Sequence, residues 1–376
     1  MNWYGNRYEE TYEYVKVSPI DWKEYGAYDY ITSGSIEMSD ENSLKITGSF
    51  QFEGLEEPDV NYMLRVYYSF VDDGGEYIRN MMATLYVSFS SLMYTDTLSG
   101  MKCSGTLTGN SVLTLLENKI YGQPFIIKKN ENAIYKAAQL IQEFGLRVEY
   151  TPSSKVLSAD HTFSSGTDYL EIVRWCCELA GYSEPYPDEE GVIQLQPINK
   201  PEQTPQSAKV KFTSDEYSIV YPELETENDW QEKANVVKLV YNTDKASMVA
   251  TSKNLRGSRS SLESVNNREI TMFEDVGELG STGSLRRLLM ASAELKLRQE
   301  AREIETVTFS HAWIPMYLHS VVDIDYGEFN WVGLVENMSI ELQPGTKVQT
   351  KIDKTIDQEI EVDNSVIVYI EEDGNE

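Results

Sequence analysis

His311 and His319 stand eight residues apart around Pro315, and paired imidazoles are the first place to look for a metal. Zinc sites favour closer spacing and a third ligand, whereas the one other histidine, His161, lies far away in a polar turn. Cys176 and Cys177 are consecutive in a stretch that reads as helix, so they cannot both face one metal, and no histidine lies near them in sequence. They read as small apolar core residues. Asp323, Asp325 and Glu328 form D-x-D-Y-G-E, the outline of a calcium loop, but the third acidic ligand before the glycine is missing and the alternation is that of a strand. The DDGG run at Asp72 to Gly75 and the DEEG run at Asp188 to Gly191 read as hairpin turns rather than ion sites. Glycoside hydrolysis needs only two carboxylates, yet with 61 acids in the chain any two fall close by chance, and no pair stands out. Phosphate-binding, dinucleotide-binding, nucleophile-elbow and H-E-x-x-H motifs are all missing. No catalytic, cofactor-binding or metal-binding residue is therefore assigned, and no cofactor is implied. Residue types and spacing support a structural or binding protein and go no further.

A chain of 376 residues is too long for one ordinary domain, and two or three domains are expected. With 61 acidic against 32 basic residues the net charge is −29, which repels phosphate backbones and argues against nucleic-acid binding over most of the surface. A wall that DNA must slide past would tolerate that charge. The 25 tyrosines suit half-exposed β surfaces. Cys103, Cys176 and Cys177 make an odd count with no disulfide framework. The start of the chain shows no apolar signal region, and nowhere do eighteen apolar residues run together. The expectation is a protein that folds in a cytoplasm without a membrane-spanning segment.

These residues must be held by elements, and the first are strands. Ile36 and Met38 alternate with polar neighbours, LKITGSFQF puts Leu44, Ile46, Phe50 and Phe52 on one face, and YMLRVYYSF does the same with Leu64, Val66, Tyr68 and Phe70. ATLYVSF follows a tight turn with Leu85, Val87 and Phe89, so a small antiparallel barrel or sandwich is expected. The period then becomes helical. ENAIYKAAQLIQEFG places Ile134, Ala137, Ala138, Ile141 and Phe144 on one face before Gly145, and DYLEIVRWCCELAG, capped by Thr167, buries Leu170, Val173 and Cys177 with Trp175 beside them before Gly181. Pro201 and Pro205 mark a linker. Beyond it, strands are expected around AKVKFTS and NVVKLVYN, followed by a polar stretch, Asn242 to Arg268, that reads as a long loop or mobile segment. A long helix over 284–304, capped by Ser284, carries Leu285, Leu288, Leu289, Ser292, Leu295 and Ile304 near one stripe. The fold class is α+β and multi-domain.

The succession of SGSIEMSDENSLKITGSFQFEG, KCSGTLTGNSVLTLLENK, NAIYKAAQLIQEFG, FSSGTDYLEIVRWCCELAGY and DEEGVIQL, closed by the late hairpin GLVENMSIELQPGTKVQTKI, resembles the central hub protein of phage tails and baseplates. The resemblance spans about Tyr30 to Ile352 and is similar above all to versions from phages of Gram-positive hosts. It implies two tube-like antiparallel β-barrels, at 25–118 and 206–352, separated by an αβ insert domain with its Pro-rich linker at 119–205. An N-terminal segment, 1–24, precedes them and an acidic C-terminal tail, 353–376, follows. It also implies a homotrimer whose six barrels match a sixfold tail tube. A tube or distal tail protein would lie above it, a separate spike, tip or lysin below, and DNA would pass through the lumen without specific binding. The location implied is the virion, after synthesis and assembly in the host cytoplasm. The hub of a contractile bacteriocin particle, and a tail protein that degrades or binds the host wall, are the other readings of the same pattern.

Two features near the end carry their own expectations. In the hairpin, Val332, Leu334, Met338, Ile340 and Leu342 form an apolar face that Val348 and Ile352 complete, while Lys347, Gln349 and Lys351 point the other way as a candidate tube joint or lumen face. The VIVYI run, Val366 to Ile370, reads either as a strand added to a neighbour or as part of a local hairpin around Asp363-Asn364.

Overall fold

Persistent alternation of apolar and polar side chains makes the first part of the chain a set of strands. The structure is a computed structural model that describes residues 6–28, 30–97, 100–120, 124–198, 201–213, 220–228, 230–242, 246–275, 285–301, 303–327, 329–345, 347–356 and 359–370. The first strands are β1 (Arg7–Val17), β2 (Glu24–Ala27), β3 (Ile31–Ser39), β4 (Ile46–Gly54), β5 (Met63–Asp72), β6 (Tyr77–Ser88), β7 (Leu92–Thr97) and β8 (Gly100–Asn110). An αβ layer follows, built from β9 (Phe125–Ile127), α1 (Ala133–Glu143), β10 (Val148–Tyr150), β11 (His161–Phe163), α2 (Tyr169–Ala180), β12 (Tyr186–Pro187) and β13 (Ile193–Leu195). The remainder comprises β14 (Val210–Thr213), β15 (Val220–Asn228), β16 (Val236–Asn242), β17 (Ala246–Arg256), β18 (Thr271–Asp275), α3 (Leu285–Glu300), β19 (Glu303–His311), β20 (Val321–Tyr326), β21 (Phe329–Glu341), β22 (Val348–Ile356) and β23 (Glu361–Ile370). The architecture is α+β and multi-domain, as expected.

The chain divides into two compact units, residues 1–224 with 308–352, and residues 225–307 with 353–376. In the first, strands of one sheet run in the order β22-β21-β3-β4-β8-β6-β5-β1-β2, with β7 paired to β8 and β20 linking β14 to β21. The ladder from Asn337↔Ser39 to Glu341↔Ser35 makes β21 and β3 neighbours, so the strands expected as a first and a second barrel share one continuous sheet. Ile36, Met38, Phe50, Leu64, Val66 and Phe70 are buried along it, and Gly48 and Gly109 lie flat against the Phe50 ring, where a Cβ would come within 2.7 and 3.0 Å. β5 is buried on both faces rather than one, because its polar side chains are sealed too: the Arg65 Nε donates to Thr84 Oγ1 at 3.1 Å, and Thr84 Oγ1 donates to the Glu189 carbonyl of the αβ layer at 2.9 Å.

The αβ layer follows its pattern closely. α1 starts at Asn132, whose side chain accepts from the Tyr135 N–H, buries Ala133, Ile134, Ala137, Ala138, Leu140 and Ile141, and stops before Gly145 at φ +72°. α2 ends at Gly181 in the left-handed conformation. Its cap is Asp168 and not Thr167: the Asp168 carboxylate accepts from the Glu171 N–H at 2.7 Å. The apolar cluster of both helices continues to Val17 and Met63, which joins the layer to β1 and β5. The Pro-rich stretch forms two short 3-10 turns, Pro201–Gln203 and Gln206–Ala208, inside the first unit.

The second unit is a four-stranded sheet in the order β18-β16-β17-β23, with α3 against Val237, Leu239, Tyr241 and Ala250. Three expectations change here. Part of the stretch read as a loop, Ala246–Arg256, is the strand β17, paired on one side to β16 and on the other to β23, while 257–268 is turns as expected. α3 ends at Glu300, and its buried stripe is Leu289, Ala293, Leu297 and Ala301, four residues apart, while Ser292 and Leu295 face solvent and Ile304 belongs to β19. Ser284 lies outside the described residues. The VIVYI run makes no hairpin at Asp363-Asn364; those residues sit within β23, opposite Lys253 and Ser252 of β17.

Candidate functional site

Besides its neighbour β22, β21 has two partners in succession along its length. Residues from Phe329 to Leu334 pair with β20 and residues from Asn337 to Glu341 pair with β3. Between them Val335 takes the buried position, donating its N–H to the Ser320 carbonyl at 3.0 Å and accepting from the His319 N–H at 2.9 Å. The buried side therefore switches from Val335 to Met338, Ile340 and Leu342, leaving Val332 and Leu334 half-buried rather than on one face with them. In β22, Val348, Thr350 and Ile352 point inward, with Lys347 and Gln349 outward as the alternation requires. The outward lysines already have partners: Lys351 Nζ is 2.7 Å from Glu336 Oε2, and Lys347 Nζ stands 3.9 Å above the Tyr221 ring. The turn is held as well, the Gly345 N–H donating to Glu10 Oε2 at 2.6 Å.

An ion-pair knot ties the αβ layer to the turn between β3 and β4. Lys45 is 1% exposed and has a left-handed backbone, φ +62°. Its ammonium is 2.9 Å from both Asp40 Oδ1 and Glu184 Oε2 and also donates to the Asp40 carbonyl. Arg174 of α2 reaches the same Glu184 at 3.4 Å and donates to the Ser43 carbonyl at 2.6 Å. His319 Nε2 lies 3.3 Å from Asp40 Oδ1, its ring against Tyr186. Burial alone would raise the Asp40 carboxyl, but His319 and Lys45 outweigh it and hold the group well below the usual carboxylate range. A cavity of about 640 Å³ beside the knot is lined by Asp40, Tyr182, Glu184, Tyr186, His319 and Leu334. Much of its polar lining is committed within the chain, the Tyr182 hydroxyl donating to the Thr151 carbonyl at 3.0 Å and Ser183 Oγ to the Gln196 carbonyl at 3.1 Å. The arrangement is a joint between layers.

A second charged network crosses β1, β2, β5 and β6. Glu13 accepts from Ser69 Oγ at 2.9 Å, the Tyr77 hydroxyl at 2.7 Å and Arg79 Nε at 2.9 Å. Glu24 accepts from the Tyr67 hydroxyl at 2.5 Å and pairs with Arg65 at 3.2 Å. Arg79 lies 3.4 Å above the Tyr67 ring. Tyrosine serves here as a donor to carboxylates across neighbouring strands, which gives the high tyrosine count a structural use.

The residues singled out for chemistry are dispersed. His311 is buried, with Nε2 2.8 Å from Thr350 Oγ1 and Nδ1 2.7 Å from the Ala312 carbonyl, and burial pushes it down to about 4. His319 belongs to the knot, and His161 stacks on Trp175 at 4.1 Å. Cys176 and Cys177 are both buried, and burial pushes each thiol up to about 12, far from a nucleophile's range. Asp323 and Asp325 lie on β20, with Asp323 accepting from Gln206 Nε2 at 2.7 Å; Glu328 is outside the described residues. The acidic turns are capped by their own aspartates, Asp72 accepting from the Gly74 N–H and Asp188 from the Val192 N–H. Among the described residues no three His, Cys, Asp or Glu side chains are grouped so as to hold a metal ion, and no helix is long and apolar enough to cross a membrane. The Lys45 knot was not foreseen; the only trace in sequence is a lysine interrupting Leu44 and Ile46.

The sequence matches no protein-family model and no curated protein. The fold, however, is shared with solved tail proteins. A tail protein of Neisseria meningitidis MC58 is similar with a TM-score of 0.59 at 11% identity, over 92% of this chain and 97% of that one. The 43 kDa tail protein of prophage MuSo2 from Shewanella oneidensis is similar with a TM-score of 0.60 at 12% identity, over 92% of this chain and 98% of the other.

Proposed function

We propose that this chain is the structural hub of a phage tail tip or baseplate, a homotrimeric ring that adapts a sixfold tail tube to a threefold tip and forms part of the DNA-ejection channel. The observation that carries the reading is the shared fold over nearly the full length of both tail proteins, insert and second unit included. In this reading residues 25–118 and 206–352 supply the two tube-like elements of each subunit, and the αβ layer decorates the outside or the distal rim. The physics suits such a ring, because its copies need large complementary surfaces to close on one another and the tyrosine-carboxylate networks give rigid polar strands for them. A net charge of −29 lets DNA pass without adhering. Catalysis is no part of the role; the chain works beside tube proteins above and a separate spike, tip or lysin below, in the assembled virion.

Electron microscopy of the purified chain at high concentration tests this, with a threefold ring around a central hole expected. A stable monomer would overturn it. Zymography on host cell walls tests the non-enzymatic part, where clearing by the purified chain would favour a wall-degrading tail protein instead.

A further inference from the structure

β23 is the last strand of the second unit's sheet. One of its edges is hydrogen-bonded to β17 from Ala246↔Ile370 to Arg256↔Glu361, and among the described residues no strand pairs the other edge. Natural edge strands are blunted by shortness, proline, lysine or a charge turned inward, because an open row of N–H and C=O groups is a template for another chain. β23 is ten residues long, EVDNSVIVYI, and contains neither proline nor lysine. Its inward residues are used: Val362 and Val366 pack on the unit's core, and Asn364 donates to Glu294 of α3 at 2.8 Å. Toward the end of the strand Ile367 is 51% and Val368 42% exposed, so two β-branched side chains flank the open edge on opposite faces.

Charge decides what fits there. Residues 353–376 contain nine acids and one lysine. Pairing of two copies through this edge would bring together two strands that each carry Glu361 and Asp363 and no base. The sheet's opposite edge, β18, offers Glu274 and Asp275 and no base. The edge therefore opposes self-association and suits a strand of the other sign.

We propose that β23 is a docking edge to which another protein adds an extended segment, one whose β-branched run is flanked by lysine or arginine. Main-chain hydrogen bonds and contact with Ile367 and Val368 supply the attraction, and Glu361, Asp363 and the acids that follow the strand supply selectivity. The inference does not depend on the hub reading.

The test uses the full chain and labelled synthetic peptides of about ten residues, Val-Thr repeats flanked by lysines or, in a control, by glutamates. Fluorescence anisotropy at low salt should show the basic peptide binding at least about tenfold more tightly than the acidic one, a preference that fades as salt screens the charges. Hydrogen exchange should slow within 361–370 when the basic peptide binds. Replacing both exposed acids, Glu361→Lys with Asp363→Lys, should narrow or reverse the preference, and Ile367→Pro should abolish binding. The proposal is overturned if neither peptide binds, if both bind equally, if protection appears elsewhere, or if 361–370 becomes protected by self-association without any peptide.

Discussion

The αβ layer and the second unit are both small sheets backed by helix, yet they are held in different ways. In the αβ layer two capped helices interlock through large apolar side chains, among them Ile134, Leu140, Ile141, Leu170, Ile172 and Val173, each no more than 2% exposed. In the second unit half of the α3 stripe is alanine, and buried, hydrogen-bonded polar side chains include Ser252 in the sheet and Asn235, Ser258 and Ser261 beside it. The first is ordered by filled volume, the second to a large degree by satisfied hydrogen bonds. Volume resists many small changes, whereas a buried polar network fails when one partner is lost.

The sharpest way to break that contrast is to remove volume from each. Leu140→Ala in α1 should cost about 3 to 4 kcal/mol, the range for a leucine emptied from a packed core. Leu297→Ala removes one of two leucines in the α3 stripe and should cost about as much, but from a unit with far less to lose. Hydrogen exchange should show the second unit opening in Leu297→Ala while α1 and α2 stay protected, with the reverse in Leu140→Ala. Equal loosening of both regions by either variant would mean that the two do not have separate cores.

Protonation separates them next. His311 is depressed from 6.5 to about 4 by burial. A histidine with a lowered folded value is protonated more readily when unfolded, so its contribution is complete above about pH 6.5 and is lost as pH falls toward 4. Over that window the first unit should lose about 3 kcal/mol, at about 1.4 kcal/mol per pH unit. A His311→Gln variant should lack the slope. The buried amides and serines of the second unit do not titrate. Its Glu269 and Glu294 are held below their usual 4.5 by hydrogen bonds from Lys253 and Arg298 respectively, so they forfeit stability only as pH falls from about 4.5. Region-resolved hydrogen exchange against pH checks both slopes.

Asn235 probes the polar unit directly. Its side chain donates to the Ser260 and Arg268 carbonyls at 3.0 and 2.8 Å and accepts from the Ile270 N–H at 2.8 Å, fastening the segment 257–268 to β16. Asn235→Ala should cost about 2 kcal/mol by stranding these buried groups, and should speed exchange over 257–268 more than in α3. Equal acceleration throughout the unit would show that the segment is not a separately fastened piece.

The same contrast explains what could be read in advance. α1 and α2 were legible because apolar period and terminal glycine agree, as Ile134, Ala138 and Gly145 do in α1. β17 was not, since ASMVATSKNLR carries few large apolar residues and owes its place to partners distant in sequence, such as Asn364 2.6 Å from Ser252 Oγ. Periodicity counts side chains that avoid water and is blind to polar ones whose hydrogen bonds are met inside. The Lys45 knot escaped for a related reason: Asp40, Arg174, Glu184 and His319 come from four separate places, and no local spacing links them. The hairpin β21-β22 was legible in its faces except where β21 changes partner, at Val335, because a switch of neighbours leaves little mark on composition.

The smallest effect tests the one misread residue within the well-read layer. Thr167 and Asp168 are both competent caps by type, and sequence alone ranks them poorly. The Asp168 backbone is extended at φ −88° and ψ 159°, and its carboxylate takes the Glu171 N–H, whereas Thr167 spends its carbonyl on the Ile120 N–H at 2.9 Å. Asp168→Ala should therefore cost about 1 kcal/mol, with Thr167→Ala within about 0.5 of wild type, as midpoint shifts in urea unfolding. Asp168→Asn should recover most of the loss, since an amide oxygen caps nearly as well and only the attraction of the carboxylate to the helix N-terminus is given up. Were Thr167→Ala the costlier change, the helix would begin one residue earlier, and the reading from sequence would stand over the geometry.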